Sequence, residues 1–564
     1  MKYEYPACKT VDVTEDWFGT SLPDPYAWLK QAKEPEVLDF VARENAFTDA
    51  WFDGEKVQAR AAQLKAEKLP ELYYSLTRFK DGYLAAERRE GKPYIRIVNE
   101  KLEPVADFPK IPALSGYDVF GVSPDPADED VLAIQCQKFG AARPSVVVCR
   151  NETWEILGSM DGIFSYCWSK KDGCLYYSST EDNAETQESV TRVYRFDPAS
   201  RESALVYEEP DYAIFGMLSA SEDGAFVLAK ICVDYCLAKW IAIDISDGHT
   251  ETLTKACVEW EYIDTVDGSH YFITLSEAAR GAVIAVDASG GQRVVLPESE
   301  RILEGGFSCG GELFAFAKQD VSSRLLRIKT GEEVALPSDM GALSYVGRGR
   351  GQVFLSFESF VDAPQLLSFD GRSLNAVLRS SEKTYPDVLV EQHFAPSTGD
   401  GTLIPYYLVR RKDAKADGTA AALMYGYGGY NGGMPPWHQE MVSGVSIPKW
   451  VEQGGVYVHC NLRGGNEYGP AWHEGGMRMT KRHCYEDFIG IAEQVIRDGW
   501  TSAGRIGISG CSNGGLLMSA LVTMRPDLWG CVIDSVPHTD MIHFAEDDRG
   551  PMYVTEYGNP RESR

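Results

Sequence analysis

Several absences narrow the reading of this chain. Its 564 residues contain no stretch of about 18 apolar residues, the length a membrane-spanning helix needs, and Met1-Lys2-Tyr3-Glu4-Tyr5-Pro6 opens without the apolar core of a signal peptide. These absences predict a cytoplasmic protein with no membrane partner. Positive charge is scarce: 55 Lys and Arg stand against 83 Asp and Glu, and the resulting net charge of −28 repels nucleic acid and anionic lipid. Cysteine is not arranged for crosslinking. Thirteen cysteines, an odd number with no C-x-x-C pair, run from Cys8 to Cys531 and fit reduced thiols. None of the nine histidines has H-x-x-x-H spacing beside a carboxylate, so no metal and no cofactor is expected.

What is present is a serine in a corner. Gly510-Cys511-Ser512-Asn513-Gly514-Gly515 lies between Arg505-Ile506-Gly507-Ile508-Ser509, suited to a buried parallel strand, and Leu516 to Val522, which reads as a helix. A nucleophile at such a turn needs a strained backbone with small neighbours, and the three glycines provide them. A phosphate loop would need Lys and Ser/Thr after the last glycine, where Leu516 stands. Cys511 reads as a small residue in the turn. Ser512 still needs a base, an orienting acid and donors for an oxyanion. The backbone N–H of Asn513 is one donor, and the loop Tyr425-Gly426-Tyr427-Gly428-Gly429-Tyr430, after the apolar run Ala421 to Met424, is placed to supply the second.

Two architectures are expected in the chain. From about residue 70 to 370, strand-like segments recur at propeller-blade spacing, with apolar outer strands ending near Asn99, Arg150, Asp197, Asp244, Asp287, Lys329 and Asp370. Hairpin turns with a positive φ are expected at Asp81-Gly82, Asp172-Gly173, Asp223-Gly224 and Asp267-Gly268. Seven units imply a seven-bladed β-propeller over residues 71–375. Residues 376–564 then read as a hairpin around Asp400-Gly401, followed by alternating strands and helices in α/β-hydrolase order. Residues 1–70 are helical in character and are expected to pack on the hydrolase sheet as an arm.

This combination resembles the prolyl oligopeptidase family along almost the whole chain. Asp24-Pro25-Tyr26-Ala27-Trp28-Leu29 is similar to the family's N-terminal signature, Tyr425 to Asn431 to its oxyanion loop, and Asn461 to Gly469 with Trp472 to Gly476 to the segment before the nucleophile. The resemblance implies that Ser512 is acylated, that the Asn513 N–H and the Tyr427 hydroxyl form the oxyanion hole, and that Tyr430 and Tyr557 wall the substrate pocket. It implies hydrolysis of short peptides after proline by a monomer, with the propeller excluding folded proteins. Two pocket positions depart from the family: Tyr553 stands for its stacking tryptophan and His538 for an apolar valine.

In the family's order the triad acid and histidine fall past Arg564, so the hydrolase sheet is expected to be incomplete and the chain by itself nearly inactive. The strand near Val532 is then expected to expose an edge. His538 and His543 follow the serine, with Asp534, Asp540, Glu546, Asp547 and Asp548 nearby, and none fits the role of base or acid. His538 reads as a polar pocket wall, His543 as a surface residue, and His459 and His473 as structural hydrogen-bonding groups. The alternatives are a non-catalytic peptide- or partner-binding module and an esterase on the same scaffold.

Overall fold

The computed structural model describes residues 4–562 except 68–71, 90–91, 139–140, 142, 184–187, 212, 235, 255, 288–289 and 547–549; for residues 65–67, 182–183, 188–189 and 550–552 it describes the backbone alone. Asp547 and Asp548 therefore lie outside the described residues. The chain forms two compact units, one of Met1–Leu69 with Asn559–Arg564 and one of Pro70–Gly558. In the first, Thr14–Trp17 and Thr20–Pro23 pair as an antiparallel hairpin, followed by helices Pro35–Phe52 and Glu55–Glu67. Trp28 donates its indole N–H to the Lys9 carbonyl and packs edge-on against Phe40. No helix among the described residues is long and apolar enough to cross a membrane.

The second unit opens with seven four-stranded antiparallel blades among the described residues, spanning 75–107, 117–160, 163–208, 215–252, 260–296, 302–334 and 342–379. The first and last blades join through a parallel bridge between Leu76 and Gly347. The strands expected to be outermost are third in their blades. Ser145–Arg150, Ala238–Asp244 and Gln365–Phe369 are apolar because sheets cover them on both faces. A fourth strand lies beyond each, and several of these are exposed, as in Pro104–Asp107, where all four residues face solvent, or Glu202–Glu208. A strand with one wet face and one free edge carries too little apolar signal to be read from sequence.

The hairpin turns divide in the same informative way. Gly173, Gly224 and Gly268 have φ of 63°, 70° and 71°, as expected, but at Asp81-Gly82 the positive φ belongs to Lys80, at 50°. Gly82 instead begins strand Gly82–Arg89, where a Cβ would run into the Val98 carbonyl of the neighbouring strand. Its glycine serves close approach rather than the turn.

After the propeller come six strands: β1 (Val388–Pro396), β2 (Leu403–Arg411), β3 (Ala422–Gly426), β4 (Val456–Cys460), β5 (Ile506–Cys511) and β6 (Trp529–Ser535). They pair in the order β1-β2-β4-β3-β5-β6, antiparallel across β1, β2 and β4 and parallel from β4 to β6. Helix α1 (Arg482–Arg497) buries Phe488, Ile491, Ala492 and Val495, an i, i+3, i+4, i+7 stripe, against this sheet. Helix α2 (Asn513–Met524) buries Leu517, Met518 and Leu521 beside Ile506 and Ile508 of β5. Each such large aliphatic side chain contributes about 1.5–3 kcal/mol. The described sheet ends at β6, three of whose seven residues are exposed and none fully buried.

Gly82→Ala is expected to lower the urea-unfolding midpoint by the equivalent of about 2 kcal/mol. Gly305→Ala, where an added Cβ meets nothing within 4 Å, is expected to stay within about 0.5 kcal/mol of wild type. Equal midpoints for the two variants would show that the Val98 contact does not constrain the strand.

Candidate active site

Ser512 sits where β5 ends and α2 begins, with φ 59° and ψ −116°, far from the helix that follows it. Its N–H donates to the Ser535 carbonyl at the end of β6 (2.9 Å), and its carbonyl accepts from Leu516 N–H (3.0 Å). The corner has no room for side chains: a Cβ on Gly510 would strike the Gly514 carbonyl, one on Gly514 would lie 2.8 Å from Gly426 O, and one on Gly515 2.7 Å from Asp534 Oδ1. Asn513 opens α2, so its N–H is among those a helix leaves without an intrahelical partner.

The Ser512 side chain lies close enough to the Tyr427 phenol to act on its ionisation. Burial pushes the Tyr427 phenol up and the nearby Ser512 side chain draws it part of the way back, so it stays protonated and able to donate at neutral pH. The Asn513 side chain, itself buried, bridges outward from this pair: Nδ2 donates to the Tyr427 carbonyl (2.6 Å) and Oδ1 accepts from the Tyr557 hydroxyl (3.1 Å). The Tyr557 and Tyr430 rings meet edge-on with centroids 5.7 Å apart. Ser512, Asn513, Tyr427, Tyr430 and Tyr557 therefore form one connected group. Tyr553 lies one helical turn before Tyr557 on α3 (Gly550–Tyr557), and its ring packs on His538 at 4.4 Å. The two positions that depart from the family pattern thus touch each other.

His543 differs from its expected surface role. Its side chain is only 18% exposed, and Nδ1 is 2.9 Å from both Asp540 carboxylate oxygens, a pairing that folds it inward. His459 accepts from Tyr457 O–H at Nδ1 (3.1 Å) and donates from Nε2 to the Met434 carbonyl (3.0 Å), fixing the chain just after the oxyanion loop. Its burial lowers the imidazole to about 4, so it stays neutral.

Sequence reasoning missed two supports. Arg463 is a buried hub, donating from Nη2 to Asp487 Oδ1 (2.6 Å) and Ser397 Oγ (3.1 Å) and from Nη1 to Asp400 Oδ2 (2.6 Å). Glu556 is buried beneath the site, accepting from His473 Nε2 (2.9 Å) and Lys481 Nζ (2.8 Å). One local signal pointed to the second: Lys481, Arg482 and His483 crowd the start of α1 without an acidic residue, where the helix dipole disfavours cations.

Residues 5–378 match the family model described as prolyl oligopeptidase, N-terminal beta-propeller domain, and residues 442–564 match that of the prolyl oligopeptidase family. The chain belongs to the prolyl oligopeptidase family. It is a serine-type peptidase by family, built of a β-propeller and an α/β-hydrolase domain. The prolyl endopeptidase of Elizabethkingia meningoseptica is 25% identical over 612 residues, covering 100% of this chain and 83% of that protein. An uncharacterized peptidase of Sinorhizobium fredii is 37% identical over 211 residues, which are 37% of this chain and 28% of that one. A solved prolyl endopeptidase structure superposes with a TM-score of 0.85 at 25% identity, over 99% of this chain and 86% of the other. The fold is shared with prolyl oligopeptidase B of Galerina marginata bound to a 25mer macrocyclization substrate, with a TM-score of 0.86 at 21% identity over 99% of this chain and 86% of that one.

His459 gives the domain a pH dependence of known sign. Its folded pKa of about 4 lies below the unfolded value near 6.5, so the unfolded chain binds the proton first and stability falls as pH drops from about 6.5 to 4, by up to about 3 kcal/mol. Urea unfolding of His459→Gln is expected to show a correspondingly shallower loss over this window. An unchanged slope would place the acid sensitivity elsewhere.

Proposed function

We propose that this protein hydrolyses short peptides after proline through an acyl-enzyme on Ser512. The observation that carries the reading is the strained strand-to-helix corner that holds Ser512, with the Tyr427 phenol close enough for the Ser512 side chain to act on it. In this reading Ser512 Oγ attacks the scissile carbonyl, and the carbonyl oxygen, as it gains negative charge, moves between the Tyr427 O–H and the Asn513 N–H. Donors already in place for that charge cost no reorganisation during the reaction. The proline ring lies among Tyr430, Tyr553, Tyr557 and His538, flat aromatic faces suited to an apolar ring.

Propeller groups stand close to this edge of the sheet: Cys236 Sγ is 3.7 Å from His473 Nδ1, and Lys318 Nζ donates to Asn466 Oδ1 (2.9 Å). That proximity supports a filter that admits short unfolded peptides and rejects folded proteins. Acylation also calls for a general base and an orienting acid. Among the described residues no histidine is hydrogen-bonded to Ser512, and turnover is accordingly expected to be slow. The reading takes the protein as a cytoplasmic monomer that does not bind nucleic acid.

The test is product analysis by mass spectrometry on a short unstructured peptide with one internal proline. Slow cleavage on the carboxyl side of the proline is expected, through a covalent intermediate on Ser512 that Ser512→Ala no longer forms. The same segment placed within a folded domain should survive. Cleavage undiminished in Ser512→Ala, or a peptide left intact while simple esters are hydrolysed, would overturn the reading.

A further inference from the structure

We infer that Lys481, together with Glu556 and His473, is a positioning cluster that sets the oxyanion loop against the helix carrying the pocket tyrosines. The inference rests on the reading of Ser512 as the acylated residue. Lys481 Nζ donates both to the Gly428 carbonyl (2.9 Å) and to Glu556 Oε1 (2.8 Å). Gly428 directly follows Tyr427, so the lysine grips the peptide group next to the oxyanion donor. Glu556 directly precedes Tyr557, whose hydroxyl reaches the Asn513 side chain that also holds the Tyr427 carbonyl. The contacts thus close a ring, Tyr427 to Gly428 to Lys481 to Glu556 to Tyr557 to Asn513 and back to Tyr427. The nucleophile adjoins two of its members, through the peptide link to Asn513 and the nearness of its side chain to Tyr427.

The second oxygen of Glu556 accepts from His473 Nε2 (2.9 Å), and His473 Nδ1 faces Cys236 Sγ of the propeller at 3.7 Å. The cluster therefore also touches the propeller. Burial pushes the Glu556 carboxyl up, but the His473 bond and the Lys481 charge outweigh it and hold the group below its usual range. The carboxylate is thus charged where it stands.

Stability alone does not account for this arrangement. A buried ion pair is costly to desolvate, and a well-packed apolar group of the same volume is often as stable or more so. An apolar group cannot hold a carbonyl. The cation at the head of α1, unfavourable for that helix, becomes useful once its ammonium is spent on Gly428 O and Glu556. Misplacing a catalytic group by about 1 Å can cost about 100-fold in rate, so a tether one residue from Tyr427 has kinetic leverage.

The experiment is the kinetics of inactivation by a small alkyl fluorophosphonate, which phosphonylates the serine oxygen with loss of fluoride and does not fill the proline pocket. In Lys481→Met the maximal inactivation rate is expected to fall about 10- to 100-fold while the concentration for half-maximal rate changes less than about 2-fold. Amide hydrogen exchange across residues 425–434 should rise, with propeller exchange unchanged. A maximal rate within about 2-fold of wild type would overturn the inference. Where Lys481→Met does not fold, Glu556→Gln, which keeps the shape and removes the charge, carries the same expectation and the same overturning result. Ser512→Ala separates the two claims: labelling that persists in it refutes the nucleophile, whereas labelling that is lost in it but unaltered in the cluster variants refutes the positioning role alone.

Discussion

Ser512 occupies a backbone conformation that L-residues avoid, and the hydrolase domain is arranged to impose it. Such a conformation costs on the order of 1–3 kcal/mol and persists only where the surroundings over-determine it. Here the determinants are the Ser535 carbonyl on β6, the Leu516 N–H one turn into α2, and three glycines whose missing side chains let β3, β5 and α2 meet at one point. The strain lifts the hydroxyl out of the turn toward Tyr427. Everything else described for the site serves to keep the facing loop at the matching distance.

That facing loop is held from two sides. Arg463 anchors the motif Asn461 to Gly469 through Asp487 and Asp400, and Gly464 then offers its carbonyl to the Asn431 N–H at the end of the oxyanion loop (3.1 Å). A Cβ on Gly464 would lie 2.5 Å from the Gly428 carbonyl, so the two loops are in direct backbone contact. Lys481 grips that same carbonyl from the other side. Buried charge is expensive, and here it is concentrated where backbone geometry must be fixed rather than where the core needs stability.

Much of this was legible in the sequence because it is local. The apolar run before Gly510, the glycines around Ser512 and the periodic strands of the propeller all signal through neighbours a few residues apart. The third strand of each blade announced itself by covered faces, whereas outer strands such as Pro104–Asp107 are too short and exposed to show. Gly82 looked like a turn glycine because Asp-Gly is a turn signal, yet its reason is a carbonyl on the next strand. The Lys481, Glu556 and His473 cluster joins residues as many as 83 positions apart, and only the fold brings them together. Its sole local trace is a basic helix start, a broken rule of the kind that marks a tertiary demand.

The central claim is that the Ser512 corner and Tyr427 are matched to a tetrahedral oxyanion. The most direct measurement is the affinity of the protein for a proline-ended peptide aldehyde compared with the matching alcohol, in wild type, Ser512→Ala and Tyr427→Phe. The account predicts that wild type binds the aldehyde about 100-fold or more tighter than the alcohol, and that each variant loses most of this margin. Equal affinities in wild type, or a margin unchanged in Tyr427→Phe, would contradict it.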